Sequence, residues 1–237
     1  MSINKRIELT NIKPSATTKD IKALCNEAIN NGVTAICVNP EWVWQAKKYL
    51  KERKQNIKVV QVYGFPTSKS TLLDGDEIDV LIRFKGFLAS KKTKRAADIT
   101  LQQVLCHLDL NNVPKEKVKV VIETHLLNDE EIIEVTKMLC KHKVAYVKSS
   151  TGVYNRLIKR DNFDDLRLIK KGMKVFFGLI PRKYLGLYQP KIKISGGVRT
   201  EKEGVELIKL GSTVIGTSKV LKCQNKNTEN TEHSNNY

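Results

Sequence analysis

Two lysines stand where short apolar runs give way to small residues. In VAYVKSSTG, residues 144–152, Lys148 follows Val144, Ala145, Tyr146 and Val147 and precedes three hydroxyl residues and Gly152. In KIKISGG, residues 191–197, Lys193 lies between Ile192 and Ile194, just ahead of Ser195, Gly196 and Gly197. A lysine amine that has lost its proton attacks carbonyl carbon and forms a Schiff base. Two cations at one mouth disfavour each other's charged form, so convergence of Lys148 and Lys193 is expected to lower both pKa values. Spacing does not say which of the two attacks. The plain alternative is a pair of lysines whose tips reach solvent.

A carboxylate joins them. Asp79 lies between Ile78 and Val80 in GDEIDVLIR, and strand alternation puts Glu77, Asp79 and Leu81 on one face. A charge in an apolar run is expensive unless paired, so Asp79 is expected beside a lysine, for packing or for proton transfer. Arg83 has the same parity. SGGVRT at 195–200 and GTS at 216–218 add glycines and hydroxyls suited to an anion: Gly196, Gly197, Thr217 and Ser218, with Gly152 from the earlier block. Glycine lets backbone N–H groups approach phosphate without a side chain in the way. Tight turns with no ligand are the alternative. Glu8, Thr10 and Asn39 are candidate polar lining.

These groups need elements to hold them. Short apolar runs begin near residues 7, 33, 57, 77, 117, 144, 191 and 213, and several are separated by amphipathic stretches at 17–30, 41–55, 128–143, 163–172 and 200–211. Eight strands alternating with helices imply a TIM (β/α)8 barrel over residues 1–222, with an open doubly wound sheet as the alternative. Strand ends at the C-terminal face of such a barrel meet at one mouth, where Lys148, Lys193 and Asp79 would converge. Between the third and fourth runs only PTSKSTLLDGD, residues 66–76, is left, so the helix there is expected to be reduced or missing. The apolar segment around 173–190, with Phe176, Phe177, Leu179, Ile180, Tyr184 and Leu187, is expected to cover the exposed wall near Val60 and Val80. A second subunit would do the same, which suggests a homodimer. Residues 223–237 are polar and read as a tail.

The chain has 237 residues, is 41% hydrophobic and carries a net charge of +17. Such an excess fits a lysine-rich surface or an anionic partner. With no base-reading module, no specific nucleic acid is expected. Five cysteines are scattered without a CxxC, which suits reduced thiols in the cytoplasm. No run is long enough to suggest a membrane span, and no metal or nucleotide motif appears, so neither metal nor cofactor is expected.

The blocks IELTNIKPSATTKDIKALC, AICVNP, VVQVYGFP, DEIDVLI, KVKVVIET, YVKSSTG, KISGGVRT and VIGTS together resemble the deoxyribose-phosphate aldolase family of class I aldolases, over roughly residues 7–221. The resemblance implies a lyase that reversibly cleaves 2-deoxy-D-ribose 5-phosphate to glyceraldehyde 3-phosphate and acetaldehyde. It makes Lys148 the Schiff-base residue, Lys193 the group that tunes it and Asp79 a proton relay. It places Gly152, Gly196, Gly197, Thr217 and Ser218 at the phosphate, and Thr151 and Thr10 along the sugar. Arg83 and Ser149 depart from the family pattern, as does the short third connection. Two other readings are an aldolase paralogue with little activity and a non-enzymatic, basic nucleic-acid-binding protein.

Overall fold

The computed structural model describes residues 3–66, 72–85, 90–153, 160–179 and 188–221. Eight parallel strands close into a barrel in sequence order: β1 (Ile7–Asn11), β2 (Ala35–Val38), β3 (Lys58–Tyr63), β4 (Glu77–Leu81), β5 (Val118–Val121), β6 (Tyr146–Lys148), β7 (Lys191–Ser195) and β8 (Val214–Thr217). The seam closes where Ile7 of β1 pairs with Ile215 of β8. The helices are α1 (Thr18–Asn30), α2 (Val43–Glu52), α3 (Lys91–Leu110), α4 (Asp129–Lys141), α5 (Asn162–Gly178) and α6 (Glu201–Lys209). The expected (β/α)8 barrel is therefore present. Among the described residues no helix is long and apolar enough to cross a membrane.

Period-two alternation sorts each strand between two environments. Leu9, Ile36, Val59, Ile78, Val120, Val147, Ile194 and Ile215 face outward into one core shared with the helices. Cys37, Val60, Val62, Leu81 and Val121 face inward with Ile12 and Phe65. That inner apolar wall surrounds the buried charges described below.

Helix starts follow from local chemistry. The side chains of Thr17 and Asn128 each accept the backbone N–H three residues on, with Asp20 and Glu131 closing the reciprocal bond. Thr200 accepts from Glu203 N at 3.1 Å, but the Glu203 carboxylate returns to Arg199 N, not to the cap. Helix α3 was not among the stretches expected from the sequence. Ser90 and Thr93 cap it reciprocally, and Ala97, Leu101 and Leu108 form its buried stripe. Helix α5 runs on past 172 through Met173, Phe176 and Phe177 to Gly178 and packs against α4 and β7. Gly172 permits this, since a Cβ there would meet Thr136 Cβ at 2.7 Å.

In the third connection the described residues, 64–66 and 72–76, carry no helix. Instead the fully buried Gln61, on the outer face of β3, ties the returning chain down. Its amide nitrogen donates to Leu72 O, and its carbonyl accepts from Asp74 N at 2.9 Å and Gly75 N at 3.1 Å. Lys47 of α2 adds an ion pair to Asp76 at 3.1 Å. Further along β3, the Tyr63 ring stacks on His107 of α3 with centroids 6.0 Å apart. The expected cover is thus corrected. Val60 points into the barrel, Val80 lies in the outer core shared with α3, and α5, which carries residues 173–178, packs against α4 and β7. Ile180, Tyr184, Leu187 and the 223–237 stretch fall outside the described residues.

Gly75 is the tight point of this connection: a Cβ there would sit 2.6 Å from Gln61 Cβ and 2.8 Å from Glu77 O. Gly75→Ala is expected to lower unfolding stability by about 1–3 kcal/mol, read as a fall in the denaturant midpoint. An unchanged midpoint would mean that the loop is not seated on Gln61.

Candidate active site

Asp79, Lys148 and Lys193 end up together because β4, β6 and β7 each turn one of them inward. Asp79 and Lys193 are fully buried, and Lys148 is 2% exposed. A single oxygen, Asp79 Oδ2, accepts from Lys148 Nζ at 2.6 Å and from Lys193 Nζ at 2.7 Å. Lys148 reaches the floor of a cavity of about 700 Å³ that opens between the loops after β1, β6, β7 and β8. The Phe65 ring lies 5.5 Å from its ammonium group.

The expected lowering of Lys148 by Lys193 is reversed. Burial pushes the Lys148 amine down, but the Asp79 carboxylate beside it, with help from Glu8, outweighs burial and raises its pKa above the ordinary lysine value. Asp79 moves the opposite way. Desolvation opposes its ionisation, yet Lys148, Lys193 and Lys119 hold it far below the usual carboxylate range. The reason is geometric: both ammonium groups bond to the same carboxylate oxygen, so Lys148 responds to that anion before it responds to its fellow lysine.

The glycine turns also meet. Gly152, Gly196 and Gly197 have φ of +75°, +90° and +90°, in the region that favours glycine. A Cβ on Gly152 would lie 3.5 Å from Gly196 Cα, and one on Gly196 would lie 3.1 Å from Ser150 Oγ. Gly152, Gly196, Gly197, Thr217, Ser218, Thr151 and Thr10 all line the cavity that Lys148 floors. Ser218 is at the exposed lip. The Thr217 hydroxyl donates to Lys219 O at 3.0 Å, and that of Thr10 makes a long contact to Glu8 O at 3.5 Å. Arg83 is exposed, unlike the fully buried Asp79 of the same parity.

Several contributors were not singled out from the sequence. Lys119 is 1% exposed and salt-bridged to Glu8 at 3.1 Å and Glu77 at 2.5 Å. Its signal, a lysine between Val118 and Val120, is the same one that marked Lys193. Glu8, expected only as lining, is fully engaged: its second oxygen takes Lys193. Glu123, at a left-handed φ of 53°, accepts from Thr151 N at 2.9 Å and Ser150 Oγ at 3.2 Å and so braces the loop behind Lys148. Ser149 and Ser195 join the two lysine strands, the Ser149 hydroxyl accepting from Ser195 N at 3.0 Å and donating to Ser195 O at 3.1 Å. Gly216 leaves room for Lys193, whose Cε would be 3.2 Å from a Cβ placed there.

Glu8, Cys37 and Asp79 bring possible ligand atoms within 4.8 Å of one another. Their setting does not suit a metal. Both carboxylates already hold lysine ammonium groups, and burial keeps the Cys37 thiol protonated by raising its pKa.

No protein-family model matches the chain. Among curated proteins it is 34% identical over 230 residues to the deoxyribose-phosphate aldolase of Thermococcus gammatolerans, covering 92% of this chain and 93% of that one. It is 36% identical over 229 residues to the deoxyribose-phosphate aldolase of Caldicellulosiruptor saccharolyticus, covering 91% and 94%. Among solved structures, the tetrameric deoxyribose phosphate aldolase from Aeropyrum pernix superposes with a TM-score of 0.67 at 22% identity, over 91% of this chain and 86% of that one. Similarity to these curated relatives over most of the chain makes this an enzyme of the aldolase type, which is a lyase. The chain belongs to the deoxyribose-phosphate aldolase family.

The interior makes a chemical prediction of its own. Cys37 is buried with its thiol pKa pushed up, whereas Cys106 is exposed. Iodoacetamide at neutral pH is expected to label Cys106 and leave Cys37 intact in the folded protein, since only an accessible thiolate reacts. Peptide mass analysis reads the outcome, and fast labelling of Cys37 would show an open interior.

Proposed function

We propose that this chain reversibly cleaves 2-deoxy-D-ribose 5-phosphate to D-glyceraldehyde 3-phosphate and acetaldehyde through a Schiff base on Lys148. One observation carries the reading. Of the two candidate lysines, Lys148 is the one that lines the cavity, while Lys193 and Asp79 lie behind it in contact with each other.

The resting ammonium of Lys148 must lose a proton, and Asp79 Oδ2 at 2.6 Å is placed to take it. The free amine attacks C1 of the open-chain sugar and gives a carbinolamine. Return of that proton to the departing hydroxyl releases water and leaves an iminium. Buried charge is conserved, because the iminium carries the positive charge that the ammonium carried before. Loss of the C3 hydroxyl proton then lets the C2–C3 bond break. Its electron pair moves into the iminium, giving an enamine and releasing glyceraldehyde 3-phosphate. Protonation at C2 and attack by water free acetaldehyde and restore Lys148. Asp79 and Lys193 are the groups near enough to hand these protons on, directly or through water. In the reverse direction the enamine is the nucleophile.

The phosphate is assigned to the abutting turns of Gly152, Gly196 and Gly197, with Thr217 and Ser218 at the lip and Thr151 and Thr10 along the sugar. Self-association as a homodimer is part of this reading, with Trp44, Leu72, Leu110 and Leu179 as large apolar side chains left at least 67% exposed. Sedimentation tests it, and a monomer at all concentrations would remove it. The cytoplasm is the compartment we assign, on the unpaired spacing of the cysteines.

Borohydride reduction in the presence of acetaldehyde, followed by peptide mass analysis, is expected to tag Lys148. Lys148→Met is expected to remove both the tag and cleavage of deoxyribose 5-phosphate. Asp79→Asn is expected to lower kcat by about 10²–10⁴, the range for loss of a positioned acid–base group. A tag on Lys193 would reverse the assignment.

A further inference from the structure

The buried charges do not stop at the pair that holds Lys148. Lys193 Nζ also bonds to Glu8 Oε1, and Glu8 Oε2 accepts from Lys119 Nζ at 3.1 Å. Lys119 continues to Glu77 Oε2 at 2.5 Å and lies 3.7 Å from Asp79 Oδ1. Glu77 Oε1 in turn takes Lys58 Nζ at 2.5 Å. Lys58 and Glu77 open β3 and β4, so they sit at the end of the barrel opposite the cavity. Side-chain exposure falls from 59% at Lys58 and 15% at Glu77 to 1% or less at Lys119, Glu8, Asp79 and Lys193. The six inner groups form an unbroken run from foot to mouth, three carboxylates against three ammonium groups.

We propose that Lys119 and Glu77 are positioning residues that set the reactivity of Lys148 from the foot of the barrel, acting through Glu8 and Asp79. This rests on the reading of Lys148 as the amine that captures the aldehyde. Neither residue lines the cavity, so neither touches substrate. Each acts through charge. The interior is walled by Cys37, Val60, Val62, Leu81 and Val121, and a charge removed there is not replaced by solvent. The groups facing Lys119 are Glu8 from β1, Glu77 and Asp79 from β4, and the Tyr146 ring of β6 at 5.7 Å, over which Lys191 of β7 also lies at 5.5 Å. Those facing Lys148 are Asp79, Cys37 and Phe65, with Lys193 on the same Asp79 oxygen and Glu8 beyond. The two carboxylates that bind Lys193 are therefore among the three that Lys119 contacts. Removing Lys119 leaves them an excess of negative charge, and removing the Glu77 carboxylate frees Lys119 to draw on both.

This predicts shifts of opposite sign. The full-length protein is incubated with acetaldehyde and cyanoborohydride across a pH series, and the rate of adduct formation on Lys148 is read by peptide mass analysis. Glu77→Gln leaves three ammonium groups against two carboxylates, favours the neutral amine, and moves the rising limb to lower pH by about one unit. Lys119→Met leaves three carboxylates against two ammonium groups and moves the limb to higher pH by a similar amount. The double variant restores the balance and returns the limb to the parent position. A merely structural role would lower the rate in both single variants without opposed shifts. Limbs that stay fixed, move in the same direction, or fail to return in the double variant overturn the proposal. If Lys119→Met does not fold, Glu77→Gln and the double variant decide alone: no downward shift in the first, or no return in the second, overturns it. If the parent protein forms no Lys148 adduct at any pH, the functional reading itself has failed.

Discussion

A single carboxylate oxygen shared by two buried lysines is the constraint on which the rest depends. Asp79 Oδ2 has no solvent to fall back on, Lys148 makes its ion pair with that oxygen, and Lys193 divides its ammonium group between Asp79 and Glu8. A buried charge stripped of its partner costs about 3–5 kcal/mol. The partners come from different strands: Glu8 from β1, Glu77 and Asp79 from β4, Lys119 from β5, Lys148 from β6 and Lys193 from β7. A slip of one residue on any of these strands would turn its charge out of the barrel into the apolar core. The network is therefore a register lock as well as a chemical site.

The apolar wall of the interior decides the sign of what happens there. In water, two neighbouring lysines would repel and the nearby carboxylate would be screened. Behind Val60, Val62, Leu81 and Val121, contact with Asp79 dominates, and the resting state keeps Lys148 as an ammonium ion. The same wall makes the proton transfer local. In the proposed mechanism a proton leaving Lys148 would go to Asp79 and come back when water departs, so that the interior would carry no uncompensated charge through Schiff-base formation.

Much of this could be read from the sequence, for physical reasons that differ between features. The strands were legible because each is a compact apolar run, and Asp79 and Lys193 stood out because each interrupts one. Lys148 was visible at the end of its run, next to small residues. Lys119 interrupts a run in the same way and went unremarked, because a chain with 42 basic residues offers many lysines and only pairing in space separates one from another. Helix α3 was missed although Ser90 and Thr93 cap it, since its buried stripe is only Ala97, Leu101 and Leu108 among charged and polar residues. The short third connection was legible from its length. That Gln61 would tie down the returning chain was not, because a buried amide on an outer strand face becomes sensible only once the returning backbone is beside it. The direction of the Lys148 shift required knowing that the carboxylate lies between the lysines.

The most direct test of this account is the protonation state of Lys148 in the resting protein. Nitrogen-15 NMR of selectively labelled lysine side chains, assigned with Lys148→Met, reports ammonium or amine at each pH. The account predicts that Lys148 is an ammonium ion at pH 7 and titrates above the ordinary lysine value, because Asp79 holds it. A neutral Lys148 amine at pH 7 would contradict it and would mean that repulsion from Lys193, not pairing with Asp79, governs the site.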